Sequence, residues 1–178
     1  MFKRNIILIA SILIIGACQN TKSKISVNQN TYSFFLGTYT DGDSKGIYKL
    51  EMDTTGHIKM LGLVAKTKNP SFLTFANNQR TLLAINEISL DNNMGTVESY
   101  QVKDSLKLIS RKPSGGAHPC FVTANDAGVV LAANYTGGNI GYLQLNQNGE
   151  LSDLLDVQQH TGSGTHPKRQ NEPHAHSV

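Results

Sequence analysis

The sequence predicts an all-β protein, a partial β-propeller of four-stranded blades with about three blades present. Three observations carry that expectation. A short apolar run recurs at a spacing of 48 residues: Phe34 to Tyr39, Leu82 to Glu87, and Val130 to Tyr135. Each period holds four short strand-like segments separated by glycine, asparagine or aspartate turns. No stretch keeps helical periodicity over ten residues, and a fixed period of this length is the mark of propeller blades rather than of a sandwich.

Taken in order, residues 1–18 read as a targeting segment rather than as fold. Lys3 and Arg4 precede an apolar run from Ile6 to Ile15, too short to span a bilayer as a stable helix. The run ends Ile15-Gly16-Ala17-Cys18, which resembles a bacterial lipobox with Cys18 as the lipidated residue; an ordinary signal peptide with a chance cysteine is the alternative. Residues 19–31 are polar and suit a tether. The expected location is the bacterial cell envelope, with membrane contact through a lipid anchor only.

The bulk composition agrees with a globular domain. Of 178 residues, 39% are hydrophobic and 16% charged, with 16 glycines for the many turns. Setting Lys3 and Arg4 aside takes the formal charge from +3 to near +1, and no basic run is interleaved with aromatics, so a nucleic-acid partner is not expected. With Cys18 assigned to lipid, Cys120 has no disulfide partner and reads as a small buried hydrophobe.

Within the repeat, the strands are labelled A to D. Strand A follows a proline in Pro70 to Phe75 and Pro119 to Ala124; strand B is the apolar run. Strand C is Gly46 to Leu50, Gly95 to Val102 and Gly138 to Leu145; strand D is Ile58 to Val64, Leu106 to Ser110 and Leu151 to Val157. Pro173 to Val178 falls where a further strand A should begin, so residues 160–172 are the crossing from one blade to the next. Propellers close with four to eight blades, so the expectation is the N-terminal part of a longer propeller, 32–178, whose next strand B would fall near position 184.

Strands A and B are antiparallel neighbours, so the start of A and the end of B share one end of the blade. Every unusual polar cluster lies in one of those segments and therefore converges on the channel mouth. His118, His174, His176 and Glu87 are candidate acids or bases there, and Arg169 a candidate anion or oxyanion partner. Asn134, Gln170 and Tyr135 offer neutral hydrogen bonds. Other readings stay open: Asn134 and Asn86 could simply end strand B, Gly137-Gly138 suits a hairpin turn, and His57 and His166 suit solvated positions. His174 and His176 sit two apart, but no carboxylate or cysteine recurs nearby at ligand spacing, so neither a metal nor another cofactor is assigned.

These residues resemble the lactonase family of seven-bladed β-propellers, which spans 6-phosphogluconolactonase-like and muconate-cyclase-like members. The carriers are Phe35-Leu36-Gly37-Thr38-Tyr39-Thr40, Gly46-Ile47-Tyr48, Pro70-Ser71-Phe72-Leu73, Asn86-Glu87, Gly115-Gly116 with Pro119-Cys120, Ala133-Asn134-Tyr135 with Gly137-Gly138, and Arg169-Gln170 with Pro173-His174-Ala175-His176. The resemblance implies seven blades and a hydrolase that opens a sugar lactone with water. It places catalysis on His174, Arg169 and Glu87, and substrate binding on His176, Gln170, His118, Asn134 and Tyr135. Two features depart from it: Phe121 stands where histidine is frequent, and an export signal does not fit a phosphorylated cytosolic lactone. A non-enzymatic propeller that binds a ligand or protein with the same face, and an inactive truncated product, are the alternatives.

Overall fold

The computed structural model describes residues 30–90 and 92–178, so the targeting segment, Cys18 and nearly all of the tether lie outside the described residues. Eleven strands among these residues form three antiparallel sheets. The first contains β1 (Tyr32–Leu36), β2 (Gly46–Met52) and β3 (Ile58–Lys66). The middle sheet contains β4 (Leu73–Ala76), β5 (Thr81–Asn86), β6 (Thr96–Val102) and β7 (Leu106–Pro113). The third contains β8 (Pro119–Ala124), β9 (Val129–Asn134), β10 (Asn139–Gln144) and β11 (Asp156–Gln159). Each is a meander in which sequential strands pair, so the A-B-C-D order holds in the two four-stranded sheets.

The period-2 alternation of strands explains why the apolar runs are unbroken in β5. Its Leu82 and Ala84 face the first sheet with Ile47, Tyr100 and Leu106, while Leu83 and Ile85 face the third with Val97, Val122, Val130, Ala132 and Leu143. A strand covered on both sides is apolar through its middle, Leu82 to Ile85, and all six residues of β5 are buried, with the polar Thr81 and Asn86 only at its ends. Turn chemistry supports the register: Asn77, Asn78 and Gln79 adopt φ of 52°, 53° and 62° between β4 and β5. Asparagine tolerates this region better than most residues.

Three expected boundaries are corrected. Strand β1 stops at Leu36 rather than running to Tyr39, because Gly37 packs so closely that a Cβ there would lie 1.8 Å from the Pro70 carbonyl oxygen. The last strand of the third sheet is Asp156–Gln159, not Leu151 to Val157. Leu151 makes only an isolated bridge to Leu145, and its side chain is drawn into the core. Pro173 to Val178 is not a strand, since none of the described residues supplies it with a strand B. It nevertheless lies against the third sheet, with Ala175 buried and Cys120 Sγ at 3.5 Å from the Ala175 carbonyl oxygen.

Candidate active site

One end of the three blades is organised by a repeated corner. Asn69 and His118, each just before a strand-A proline, take φ of 43° and 48°. This is an unfavourable region for a non-glycine residue ahead of proline. Their carbonyls accept the amides of Glu87 and Tyr135, at 3.0 Å each. The corner thereby ties the start of strand A to the residue just past strand B. Tyr39, Glu87 and Tyr135 are the same repeat position in three successive blades, and the fold brings all three to one cleft of about 460 Å³. The residues that follow the two corner prolines complete it: Ser71 and Phe72 ahead of β4 and Cys120 in β8, with His176 from the C-terminal segment.

Glu87 is the charged centre of this cleft. Its Oε2 accepts a hydrogen bond from the Tyr39 hydroxyl at 2.7 Å and from Ser71 Oγ at 2.5 Å. Donation to Glu87, with some burial and the carboxylate's charge, pushes the Tyr39 phenol above its ordinary range. The Cys120 thiol is also pushed up, by burial first and then by the Glu87 charge. Cys120 is therefore a half-buried wall of the cleft, not the buried core residue expected from its strand pattern.

A second cleft, of about 600 Å³, lies on the other side of Tyr135 and holds Arg169, Gln170, Glu172 and His174. Tyr135 is common to both. Its ring stacks on His174 at 4.5 Å with 9° between the planes, and meets His176 edge-on at 5.8 Å. Arg169 Nη2 donates to the Tyr135 hydroxyl at 3.2 Å. His174 Nδ1 lies 3.1 Å from the Tyr135 carbonyl oxygen, which can only accept, so Nδ1 carries the proton and Nε2 keeps its lone pair in the neutral ring.

The expected site residues thus divide. His174, Arg169, Gln170 and Tyr135 share the larger cleft, while Glu87, His176 and Tyr135 share the smaller. Gln170 also braces its own loop, its Oε1 accepting the His166 amide at 3.1 Å. His118 lines neither cleft; its Nδ1 meets Thr136 Oγ1 at 3.0 Å and its backbone forms the corner. Asn134 is corrected from ligand contact to brace. It is fully buried, and its Nδ2 bonds the Ser114 carbonyl at 2.9 Å and Asn139 Oδ1 at 2.8 Å. Asn86, one period earlier, does the same with the Lys68 carbonyl at 2.7 Å. Tyr39, Ser71 and Cys120 belong to the cleft but were not singled out from sequence. The 48-residue register of Tyr39 with Glu87 and Tyr135 was the signal for the first, and the post-proline position for the other two.

Residues 33–178 match the family model described as Lactonase, 7-bladed beta-propeller. The chain belongs to this lactonase family. It is 34% identical over 150 residues to the 6-phosphogluconolactonase of Bacillus subtilis, a match covering 82% of this chain and 42% of that protein. With the 6-phosphogluconolactonase of Formosa agariphila it is 28% identical over 149 residues, again across 42% of the relative. The structure of the periplasmic gluconolactonase of Pseudomonas aeruginosa superposes with a TM-score of 0.76 at 34% identity, covering 84% of this chain and 44% of that one. This lactonase-family chain therefore spans about two fifths of the length of the relatives it matches.

Proposed function

We propose that the protein opens a sugar lactone by water attack, with the chemistry centred on His174 and Arg169 in the larger cleft. The observation that carries this reading is the hydrogen bond of His174 Nδ1 to the Tyr135 carbonyl. It fixes the tautomer whose Nε2 can take a proton, and the stacked Tyr135 ring holds the plane of that base. Nε2 accepts a proton from water as the water oxygen bonds to the lactone carbonyl carbon. Arg169 supplies fixed donors to the resulting oxyanion. Collapse breaks the ring C–O bond, and the imidazolium returns its proton to the departing alkoxide, giving a hydroxy acid.

Turnover of a gluconolactone by the full-length protein, followed by acid release, tests the reading. His174→Ala should lower kcat by about 10²–10⁴ and Arg169→Ala by about 10²–10³. Unchanged rates in both variants remove these residues from the mechanism. Binding without turnover by the wild type would favour a ligand-binding propeller instead.

We also propose that Cys18 carries a lipid and anchors the protein at the cell envelope. The lipobox-like Ile15-Gly16-Ala17-Cys18 supports this, as does the likeness to a relative described as periplasmic. Cys18→Ser should abolish metabolic labelling with a fatty acid and release the protein from the membrane fraction; persistent labelling overturns the anchor.

A further inference from the structure

We infer that His118 is a positioning residue: by keeping its side chain off the Tyr135 carbonyl, it leaves that carbonyl to hold the His174 proton on Nδ1. This rests on the reading of His174 as the base of lactone opening. The observation that carries it is a difference between the two equivalent corners. Ahead of Pro70 the Asn69 side chain closes the corner, its Nδ2 donating to the Glu87 carbonyl at 3.3 Å. The loop after β1 aims that amide, since Asn69 Oδ1 accepts the Thr40 amide at 2.9 Å and Thr40 Oγ1 at 2.8 Å.

Ahead of Pro119 the backbone corner is the same, but the side chain turns elsewhere. The His118 ring meets Thr136, Nδ1 to Oγ1 at 3.0 Å, and the Tyr135 carbonyl accepts from His174 Nδ1 at 3.1 Å and from the Gly138 amide at 3.3 Å. A carbonyl oxygen has two lone pairs, and these two donors fill them. The Gly138 amide is tethered by its shorter bond to the Asn134 carbonyl, 2.9 Å, whereas His174 is held through a rotatable side chain. A third donor on this oxygen therefore displaces His174. Once Nδ1–H lacks its acceptor, the proton of the neutral ring is free to sit on Nε2, and the base loses the lone pair it works with. The position equivalent to Thr40 is Ile88, which meets this corner through its carbonyl, accepting the His118 amide at 3.0 Å, and has no hydroxyl with which to aim an amide.

The test transplants the earlier corner onto the later one in the full-length protein. His118→Asn keeps a residue type that tolerates the φ of 48° and adds the competing amide; Ile88→Thr beside it adds the hydroxyl that aims it. Ring-nitrogen NMR of histidine-labelled protein at about pH 8.5, above the ordinary imidazole range, should show wild-type His174 protonated on Nδ1. Loss of its signals in His174→Ala assigns them. His118→Asn should move part of the population to Nε2–H, and the double variant more. In the same order kcat for a gluconolactone should fall, by about tenfold in His118→Asn, with KM little changed and the urea midpoint not lowered. His118→Gly, which takes the same backbone angle without a donor, should keep the Nδ1 tautomer. A wild-type ring protonated on Nε2 overturns the inference with no variant needed. A tautomer that stays on Nδ1 in both transplants overturns it whatever happens to kcat, and so does one lost equally in His118→Gly, since the amide is then not the cause. A transplant that unfolds the protein also overturns it, because the corner then has no place for the amide. If no lactone is turned over, a tautomer shifted by the transplants and kept by His118→Gly supports the inference although the hydrolase reading has failed.

Discussion

The middle and third sheets meet through side chains that are almost all apolar, whereas the first and middle sheets meet partly through charge. The divergence can be traced to a single rung. Ala84 of β5 pairs with Glu98, and the repeat-equivalent Ala132 of β9 pairs with Gly141. Glu98 is wholly buried and turned toward the first sheet. It receives Thr67 Oγ1 at 2.7 Å, the Tyr100 hydroxyl at 2.5 Å and Arg111 Nε at 2.6 Å. At Gly141 the space is filled instead by backbone, since a Cβ would lie 1.9 Å from the Ser114 carbonyl oxygen. Both solutions hold the chain that crosses from strand D to the next strand A. One does so with a carboxylate network, the other by close approach of the main chain.

Removing Glu98 should have the largest effect on this comparison. Glu98→Ala strands the Thr67 and Tyr100 hydroxyls and opens a cavity, but Arg111 is half exposed and can return to water. The expected loss is about 3 kcal/mol, at the low end for a broken buried pair. Asn86, which bonds both Thr67 Oγ1 and the Lys68 carbonyl, loses part of its support with the network. Gly141→Ala should cost somewhat less, about 1–3 kcal/mol, because Ser114 must be pushed back. Urea unfolding measures both. If Gly141→Ala proves the costlier, the backbone junction is the stiffer of the two.

How much of this was readable from sequence follows from the same contrast. The 48-residue register located every blade, because turn residues and apolar runs are local signals, and it put Tyr39, Glu87 and Tyr135 at one position. It could not show that Tyr135 separates Glu87 from His174, since which wall a ring forms depends on how far apart the strand ends splay. Asn134 looked like a ligand contact because a polar residue at a strand end is ambiguous until burial is known. Glu98 passed unnoticed because a glutamate in an alternating strand ordinarily faces water. Its burial depends on Thr67 and Arg111, which are distant in sequence. The position of β11 was misjudged because Leu151 satisfies the apolar pattern by packing inward without joining the ladder.

A smaller effect separates the junctions by pH. The Tyr100 phenol is raised above its ordinary range by burial, then by the charge of Glu98 and its hydrogen bond to it. A group whose folded pKa is raised contributes fully below its unfolded value, about 10 for tyrosine. That contribution is lost as pH rises above it toward the folded value. Stability should therefore fall above about pH 10 more steeply in the wild type than in Tyr100→Phe. Parallel curves would mean that Tyr100 does not report the polar junction.

The smallest effect is expected at the one ion pair that bridges the apolar junction among the described residues. Lys112 Nζ of β7 donates to Asp153 Oδ1 at 2.6 Å, and that hydrogen bond, with the ammonium's charge, holds the Asp153 carboxyl below its usual range. The sign is clear: a depressed carboxyl contributes above its unfolded value, about 4, and loses that contribution as pH falls through the folded one. Its weight is another matter, because Asp153 lies open to water, where solvent screens the pair and ordering two mobile side chains offsets the attraction. Asp153→Asn should leave the urea midpoint unresolved from wild type at neutral pH. A clear drop that vanishes in high salt would show that this junction, too, depends on charge.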